Sequence, residues 1–394
     1  MDTILTVNGG SSSLKCGLYT LRDEGLHCLY HLKLGNLLGE TARFDIMDER
    51  DAPLEHLDLD FSAIDPELRH QAALKHVLSW LQEHLSEVNL VATGHRIVHG
   101  GDRFSAPILI GETELEQLKR YIPLAPLHQP YNLKLLEACG DLAPDIPRVG
   151  CFDTMFHSRQ PRLERLYAIP RELSDAGVHK YGFHGLSYDY IQHQLAAIGC
   201  GQLKTVVCHL GAGASMCAIK DGHSIASSMG FTAVDGLPMG SRCGNLDPGV
   251  LLYLMHEHQM GLEQIEDLIY KQSGWLGVSG ISSDMITLHQ SESPAAQEAI
   301  DLFCYRAALE LGRLSAALEG LEQLVFTGGV GENDADVRAR ILSRSRWLGI
   351  EFDANANERH DRRIDTDGSA VSVRVIPTNE EAMIAQRVAE LLAG

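Results

Sequence analysis

The chain is poor in positive charge. Its 394 residues hold 33 lysines and arginines against 53 aspartates and glutamates, a formal net charge of −20. Such a field repels polyanions, which excludes nucleic acid and anionic membrane as partners. A small anion can still bind where local cations outweigh the overall field. Paired cysteines are also lacking. The nine cysteines are scattered with no C-x-x-C pair, which argues against a zinc ribbon or a thioredoxin-like motif. Nothing resembles a disulfide framework, so a reducing compartment fits. No run of about 18 or more apolar residues is present, so no transmembrane helix is expected. The opening MDTILTVNGG lacks a basic region followed by a long apolar one. The 19 histidines lack ligand spacing, which leaves out a bare metal-binding protein. Low-complexity segments and long Pro/Ser linkers are absent too. A cytoplasmic protein with compact domain boundaries is expected, and GDLAPDIPRVG, within 140–150, is the best boundary.

What is there reads as an ordinary globular core, with 44% hydrophobic and 22% charged residues. The length suggests two or three domains. ILTVNGGSSSLKCGLYTL (4–21) is apolar, then rich in glycine and serine, then apolar again, which predicts strand, tight turn, strand. It is not a P-loop, which needs a helix after the turn. TVVCHLGAGASMCAIKDG (205–222) has the same grammar. A shift of 201 positions places Gly10 on Gly211, Cys16 on Cys217 and Leu18 on Ile219. A third glycine-rich turn, FTGGVGEN (326–333), follows the apolar LEQLVF. Three such turns fit a duplicated α/β protein with a nucleotide held between its halves. Three- and four-residue apolar spacing predicts helices over 66–85, 249–272 and 295–320. Thr378-x-x-Glu381 has the pattern of a capping box.

Glycine lets the backbone approach phosphate oxygens and aim N–H groups at them. Ser11, Ser12 and Ser13 add hydroxyls, and Lys15 adds a mobile cation. A plain β-turn explains one such loop, whereas phosphate binding better explains three. In GHRIVHGG (94–101), His95 and His99 have an i, i+4 spacing that invites zinc. The general-base Glu is missing, and the Ile–Val pair between them favours a strand. Arg96, where that Glu would stand, suits bidentate anion binding; a surface salt bridge is the plainer alternative. Asp153 in FDTMFH, His184 in YGFHGLSY and Arg242 in DGLPMGSRCGNLDP lie in turn-rich segments, where functional side chains concentrate. Cations, histidines, a carboxylate and phosphate loops are the parts that phosphoryl transfer needs.

NGGSSSLK, GHRIVHGG, FDTMFH, YGFHGLSY, HLGAGAS, SMGFTAVDGLPMGSRCGNLDPG, SGISSDM, VFTGGVGEN and IPTNEEAMIA occur in that order along nearly the whole chain. In this the chain resembles the acetate kinases and related short-chain acyl kinases of the acetate and sugar kinase/Hsp70/actin superfamily. The resemblance implies an α/β protein of two duplicated ribonuclease H-like (actin-like) domains. Their mixed sheets are flanked by helices, and the active site lies in the interdomain cleft. The domains would be 1–150 plus 381–394, and 151–380. A cytoplasmic homodimer is implied, using Mg2+ (or Mn2+) with ATP/ADP as co-substrate and a short-chain carboxylate as acceptor.

By the same resemblance, Asn8 and Glu380 are metal residues, and Lys15, Ser11 and Ser13 serve the nucleotide phosphates. Arg96 binds the substrate carboxylate. Asp153 is an acid/base or an orienting carboxylate. His184 and Arg242 stabilise the transition state, and His128 lies near the transferring phosphoryl. Val98, Leu127, Phe183 and Ala233 surround the acyl group. His209, Leu210, Gly211, Ala212 and Gly213 hold phosphates. Asp284, Met285, Ile286, Gly329, Val330, Gly331, Glu332 and Asn333 line the adenosine site. Two departures fall on the nucleotide side: Ala212 replaces a common Asn, and Ile286 a common Arg that packs on adenine. A donor other than ATP therefore stays open, as does propionate or butyrate as acceptor. An actin- or Hsp70-like nucleotide-gated binding protein would not need Arg96, His184 and Arg242 together.

Overall fold

A computed structural model describes residues 1–394 except Ser11, Asp23, Glu24, Ser86, Glu87 and Leu127. The chain divides into two compact units, Met1–Met155 with Asn379–Gly394, and Phe156–Thr378.

The first unit is built on an eight-stranded sheet of β1 (Asp2–Gly9), β2 (Leu14–Arg22), β3 (Gly25–Gly35), β4 (Thr41–Asp48), β5 (Pro53–Asp60), β6 (Asn89–Ile97), β7 (Ile108–Leu109) and β8 (Arg148–Phe152). Their order is β5-β4-β3-β2-β1-β6-β8-β7. β1 to β5 pair antiparallel in succession, whereas β1–β6 and β6–β8 are parallel. β1 is buried along almost its whole length, as a central strand covered on both faces must be. One face of the sheet packs Leu14, Leu18, Leu32 and Phe44 against Ala73, Leu74 and Val77 of helix Arg69–His84. Leu135 and Cys139 of helix Gln129–Leu142 join the same cluster. The C-terminal helix, Glu380–Ala393, also packs on this sheet. A Cβ at Gly94 would stand 2.6 Å from Ile384 Cγ2 and 2.7 Å from Val388 Cγ2, so this strand needs glycine to admit that helix.

The second unit has a five-stranded sheet of β9 (Thr205–His209), β10 (Ser215–Lys220), β11 (His223–Ser227), β12 (Gln323–Thr327) and β13 (Ser372–Val375), in the order β11-β10-β9-β12-β13. β9, β10 and β11 are antiparallel neighbours, while β9–β12 and β12–β13 are parallel. That is the order and sense of β3-β2-β1-β6-β8, so the two sheets share one plan of three antiparallel strands and two parallel additions. Tyr188, Ile191 and Leu195 of helix Gly185–Ala197 pack on Val207, Cys217 and Val325. Helix Pro294–Ala317 packs on β9, β10 and β11.

Three local expectations change. The stretch 249–272 forms two helices, Pro248–Glu257 and Leu262–Lys271. Gln259 lies in the left-handed region at φ 53°, and Gly261 caps the second helix. Thr378 does not cap the C-terminal helix. Asn379 does, its Oδ1 accepting the Ala382 N–H at 2.8 Å. The first unit also continues past residue 150, because β8 pairs with β6 on both sides of that residue and ties it into the first sheet.

Candidate active site

In the first unit, Asn8, Arg96 and Asp153 come together because β1, β6 and β8 are neighbouring parallel strands. Asn8 lies near the end of β1, Arg96 near the end of β6, and Asp153 directly after β8. Ligands of open α/β sheets bind at such carboxyl ends. Arg96 Nε lies 3.1 Å from both Asp153 oxygens and its Nη2 lies 2.6 Å from Oδ2. Arg96 Nη1 donates to Asn8 Oδ1 at 3.2 Å. Glu380 Oε2 stands 3.8 Å from Arg96 Nε. Asn8 Nδ2 donates to Glu380 at 3.4 Å and to Glu381 at 3.0 Å. The Asp153 side chain is 1% exposed and that of Arg96 18%.

Of the five N–H donors of a guanidinium, Asp153 takes Nε–H and one on Nη2, and Asn8 takes one on Nη1. One N–H is left on each terminal nitrogen for a further acceptor. Burial opposes the charge of Arg96, but Asp153, Glu380 and Glu381 hold its pKa above the usual arginine value. Burial pushes the Asp153 carboxyl up from its ordinary value; Arg96 offsets this in part and Glu380 adds repulsion. Carboxylates thus outnumber cations here, and their hard oxygens suit Mg2+. Among the described residues no group of three or more His, Cys, Asp or Glu forms a complete metal cage.

In the second unit, the loops HLGAGAS and GGVGEN are joined. Leu210 O accepts the N–H groups of Val330 and Gly331 at 2.9 and 3.1 Å, and Leu210 N–H donates to Thr327 O at 2.8 Å. Gly328 has φ 78°, and a Cβ there would meet Leu210 O at 2.8 Å, so glycine is required at this junction. Glu332 does not extend outward. Its Oε1 accepts from Gly328 N–H at 2.8 Å and Thr378 N–H at 3.0 Å, stapling the loop to the end of the second unit. Fully buried Arg338 donates to the carbonyls of Gly331 and Glu332, both at 2.9 Å.

His184 caps helix Gly185–Ala197 with left-handed φ 57°, ψ 25°. Such strain in a non-glycine residue gathers at functional sites. Its ring stacks on His209 with centroids 4.4 Å apart, and its Nδ1 lies 2.8 Å from Ser215 Oγ. A Cβ built on Gly213 would be 3.6 Å from His184 Nε2 and 3.9 Å from Arg242 Nη1. Both groups therefore face the bare backbone of that turn. Arg242 Nη1 is aimed by Ala233 O at 3.1 Å and Met239 Sδ at 3.8 Å.

The remaining expected residues are dispersed within their units. Lys15 is exposed, opposite Asn8 in the β1–β2 register. Gly10 N–H to Ser13 O, at 2.8 Å, closes the hairpin turn. Ser11 and Leu127 lie outside the described residues. His128 is the N-cap residue of helix Gln129–Leu142. Val98 is buried, its N–H held by Asn132 Oδ1 at 3.0 Å. Phe183 is buried, its carbonyl 2.9 Å from His157 Nε2. Asp284 caps helix Met285–His289 and accepts from Thr287, which holds its carboxyl below the usual range. Met285 is buried, and Ile286 is 67% exposed. Asn333 Nδ2 donates to Gly329 O at 2.9 Å. His95 bonds Thr93 Oγ1 at 2.9 Å and His99 accepts Gly101 N–H at 2.9 Å, so each serves its own strand end. Sequence reasoning missed Glu381 as an Asn8 partner, and Ser187, which lies 2.8 Å from both His209 Nδ1 and Thr378 Oγ1. The doubled Glu380–Glu381 was a readable signal; Ser187 offered none.

Buried histidines beside these sites set a pH dependence. Burial lowers His95 from 6.5 to about 3, assisted by Arg148. Burial likewise lowers His157 to about 4, against the Phe183 carbonyl, which raises it. Between those values and 6.5 the unfolded chain binds the proton and the folded chain does not. Their stabilising effect is complete above pH 6.5 and falls with decreasing pH, by about 1.4 kcal/mol per pH unit for each histidine. His157→Asn should therefore reduce the pH slope of urea-unfolding free energy between pH 6.5 and 5 by about that amount. An unchanged slope would remove His157 from the account.

The Acetokinase family model matches residues 3–386. The chain is 46% identical to an acetate kinase of Rhodopseudomonas palustris, covering 100% of this chain and 99% of the relative. It is 44% identical to an acetate kinase of Methylocella silvestris, covering 99% and 98%. Among solved structures, a propionate kinase from Francisella tularensis has a TM-score of 0.89 at 34% identity, covering 98% of this chain and 99% of that one. An acetate kinase from Porphyromonas gingivalis has a TM-score of 0.87 at 35% identity, covering 100% of both chains.

Proposed function

Because this chain belongs to the acetokinase family, we propose that it is a Mg2+-dependent kinase that moves the γ-phosphoryl group of ATP reversibly to acetate, giving acetyl phosphate and ADP. The observation that carries this reading is Arg96 at the strand ends, its Nε and Nη2 held by Asp153 and its Nη1 by Asn8, which leaves an N–H on each terminal nitrogen to bind the acid.

Acetate is already ionised at neutral pH, so its attacking oxygen needs no general base. That supports Asp153 as an orienting carboxylate, since its short contacts go to Arg96. In the forward direction a carboxylate oxygen bonds to the γ-phosphorus in line as the bond to the β,γ-bridging oxygen breaks, and ADP leaves with that electron pair. His184 and Arg242 offset charge on the equatorial oxygens, and His128 acts near the same group. Mg2+, or Mn2+ in its place, would be held by Glu380 and Asn8 and would neutralise phosphate charge. Lys15 and Ser13 in the first unit serve phosphate oxygens, as do His209 to Gly213 in the second. Asp284 to Ile286 and Gly329 to Asn333 carry the adenosine.

A propionate kinase is the second reading, favoured by the fold shared with the Francisella protein. One methylene changes affinity by only about 1–3 kcal/mol in an apolar pocket. Among the acyl-side residues Val98, Phe183 and Ala233, Val98 leans the choice to acetate, whereas Ala233, replacing a common proline, leaves slightly more room. Ala212 and exposed Ile286 leave donor choice the less constrained side. Trapping acyl phosphate as hydroxamate from acetate, propionate and butyrate, each with ATP, GTP and pyrophosphate, tests the whole proposal. Acetate with ATP should give the highest kcat/KM.

A homodimer in the cytoplasm completes the reading. Helix Pro248–Glu257 is apolar yet buries none of its residues, and Leu252 and Tyr253 are 60% and 57% exposed. A patch of this kind marks a protein interface. The nine free thiols suit a reducing compartment. Sedimentation should give a particle of two 43.3 kDa chains, and Leu252→Asp should give one. A parent chain that sediments as a monomer would contradict the dimer.

A further inference from the structure

We propose that Ser215 and Tyr188 are positioning residues that hold His184 as the neutral tautomer protonated at Nε2, so that Nε2–H donates to the phosphoryl group in transfer. The donation rests on the kinase reading above; the tautomer does not.

Tyr188 is fully buried, and its hydroxyl has Ser215 Oγ as its hydrogen-bond partner among the described residues, at 2.5 Å. A buried phenol must donate its proton, and it ionises only at high pH. Its O–H therefore goes to Ser215 Oγ. Ser215, also fully buried, has a second side-chain partner, His184 Nδ1 at 2.8 Å. The serine accepts from the tyrosine, so its own proton points to Nδ1. Nδ1 is then an acceptor, and the proton of the neutral ring lies on Nε2. Nε2 is the nitrogen closest to the bare Gly213 turn. The stacked His209 ring and the left-handed backbone of His184 restrict the ring from turning over. An imidazolium would break the chain, because its Nδ1–H would take the serine oxygen as acceptor and leave the buried serine proton without its partner. The relay thus favours a neutral donor.

The test is the imidazole 15N spectrum of 15N-histidine-labelled protein without substrate, assigned by loss of signals in His184→Gln. The parent should show a pyridine-like Nδ1 and a pyrrole-like Nε2. Ser215→Ala should give mixed tautomers. Its kcat should fall roughly 10–100-fold with KM for acid and nucleotide nearly unchanged, the range for removing an outer partner that orients a histidine. Ser215→Thr should restore both tautomer and rate, and Tyr188→Phe should loosen the tautomer with the ring still in place. A parent His184 protonated at Nδ1, or a folded Ser215→Ala with unchanged spectrum and kcat, overturns the assignment. An inactive parent with the Nε2–H form would overturn the kinase reading and support the assignment.

Discussion

Arg242→Ala should lower kcat roughly 10²–10³-fold, the effect expected for deleting one preorganised donor at developing charge. The side chain is held by Ala233 O and Met239 Sδ, and its Nη1 faces the Gly213 turn beside His184. Ala233 O and Met239 Sδ are neutral partners, so the expected loss is in rate. The thermal midpoint should stay close to that of the parent, and KM for the carboxylate should change little. Arg242→Lys should recover only part of the rate, because an ammonium keeps the charge but lacks the planar fork. A kcat within threefold of the parent in a folded Arg242→Ala protein would remove Arg242 from the mechanism.

Arg96→Ala should damage both stability and binding. It leaves the Asp153 carboxylate, 1% exposed, without its cation. Breaking a buried pair from one side costs about 3–5 kcal/mol. On the proposed role the site also loses the guanidinium that binds the acid, so KM for acetate should rise at least 10²-fold, given about 1.5–3 kcal/mol for each charge-assisted bond. Adding Asp153→Asn separates the two effects. The double variant no longer buries an unpaired charge and should regain much of the lost stability, while KM for acetate stays high. A double variant with parent-like KM would show that Arg96 is structural and that the acid binds elsewhere.

The sequence disclosed short-range features well and long-range ones poorly. NGGSSSLK was readable as a hairpin turn because the residues that decide it are adjacent: Gly10 and Ser13 close the turn, and β1 and β2 flank it. The plan of HLGAGAS was readable for the same reason. Between Thr378 and Asn379, both good caps, local chemistry did not decide. Asn379 took the helix terminus, while Ser187 and Glu332 engage Thr378. The meeting of Asn8, Arg96 and Asp153 follows from strand order, which periodicity does not disclose; the motif resemblance had placed all three at one function. Ser215 read as the end of a glycine loop. Its partners Tyr188 and His184 lie on a helix and its cap, so their meeting depends on how β10 and that helix pack. Arg338 carried no signal in the sequence, yet it is fully buried and donates to the Gly331 carbonyl of the GGVGEN loop.

The central claim is transfer of a phosphoryl group from ATP to a carboxylate. The direct measurement is 31P NMR of the purified chain with ATP, acetate and Mg2+. An acetyl phosphate resonance should grow with that of ADP, in equal amounts, and should vanish on omitting acetate. ADP formed with inorganic phosphate alone, or no change with acetate, propionate or butyrate, would contradict the account.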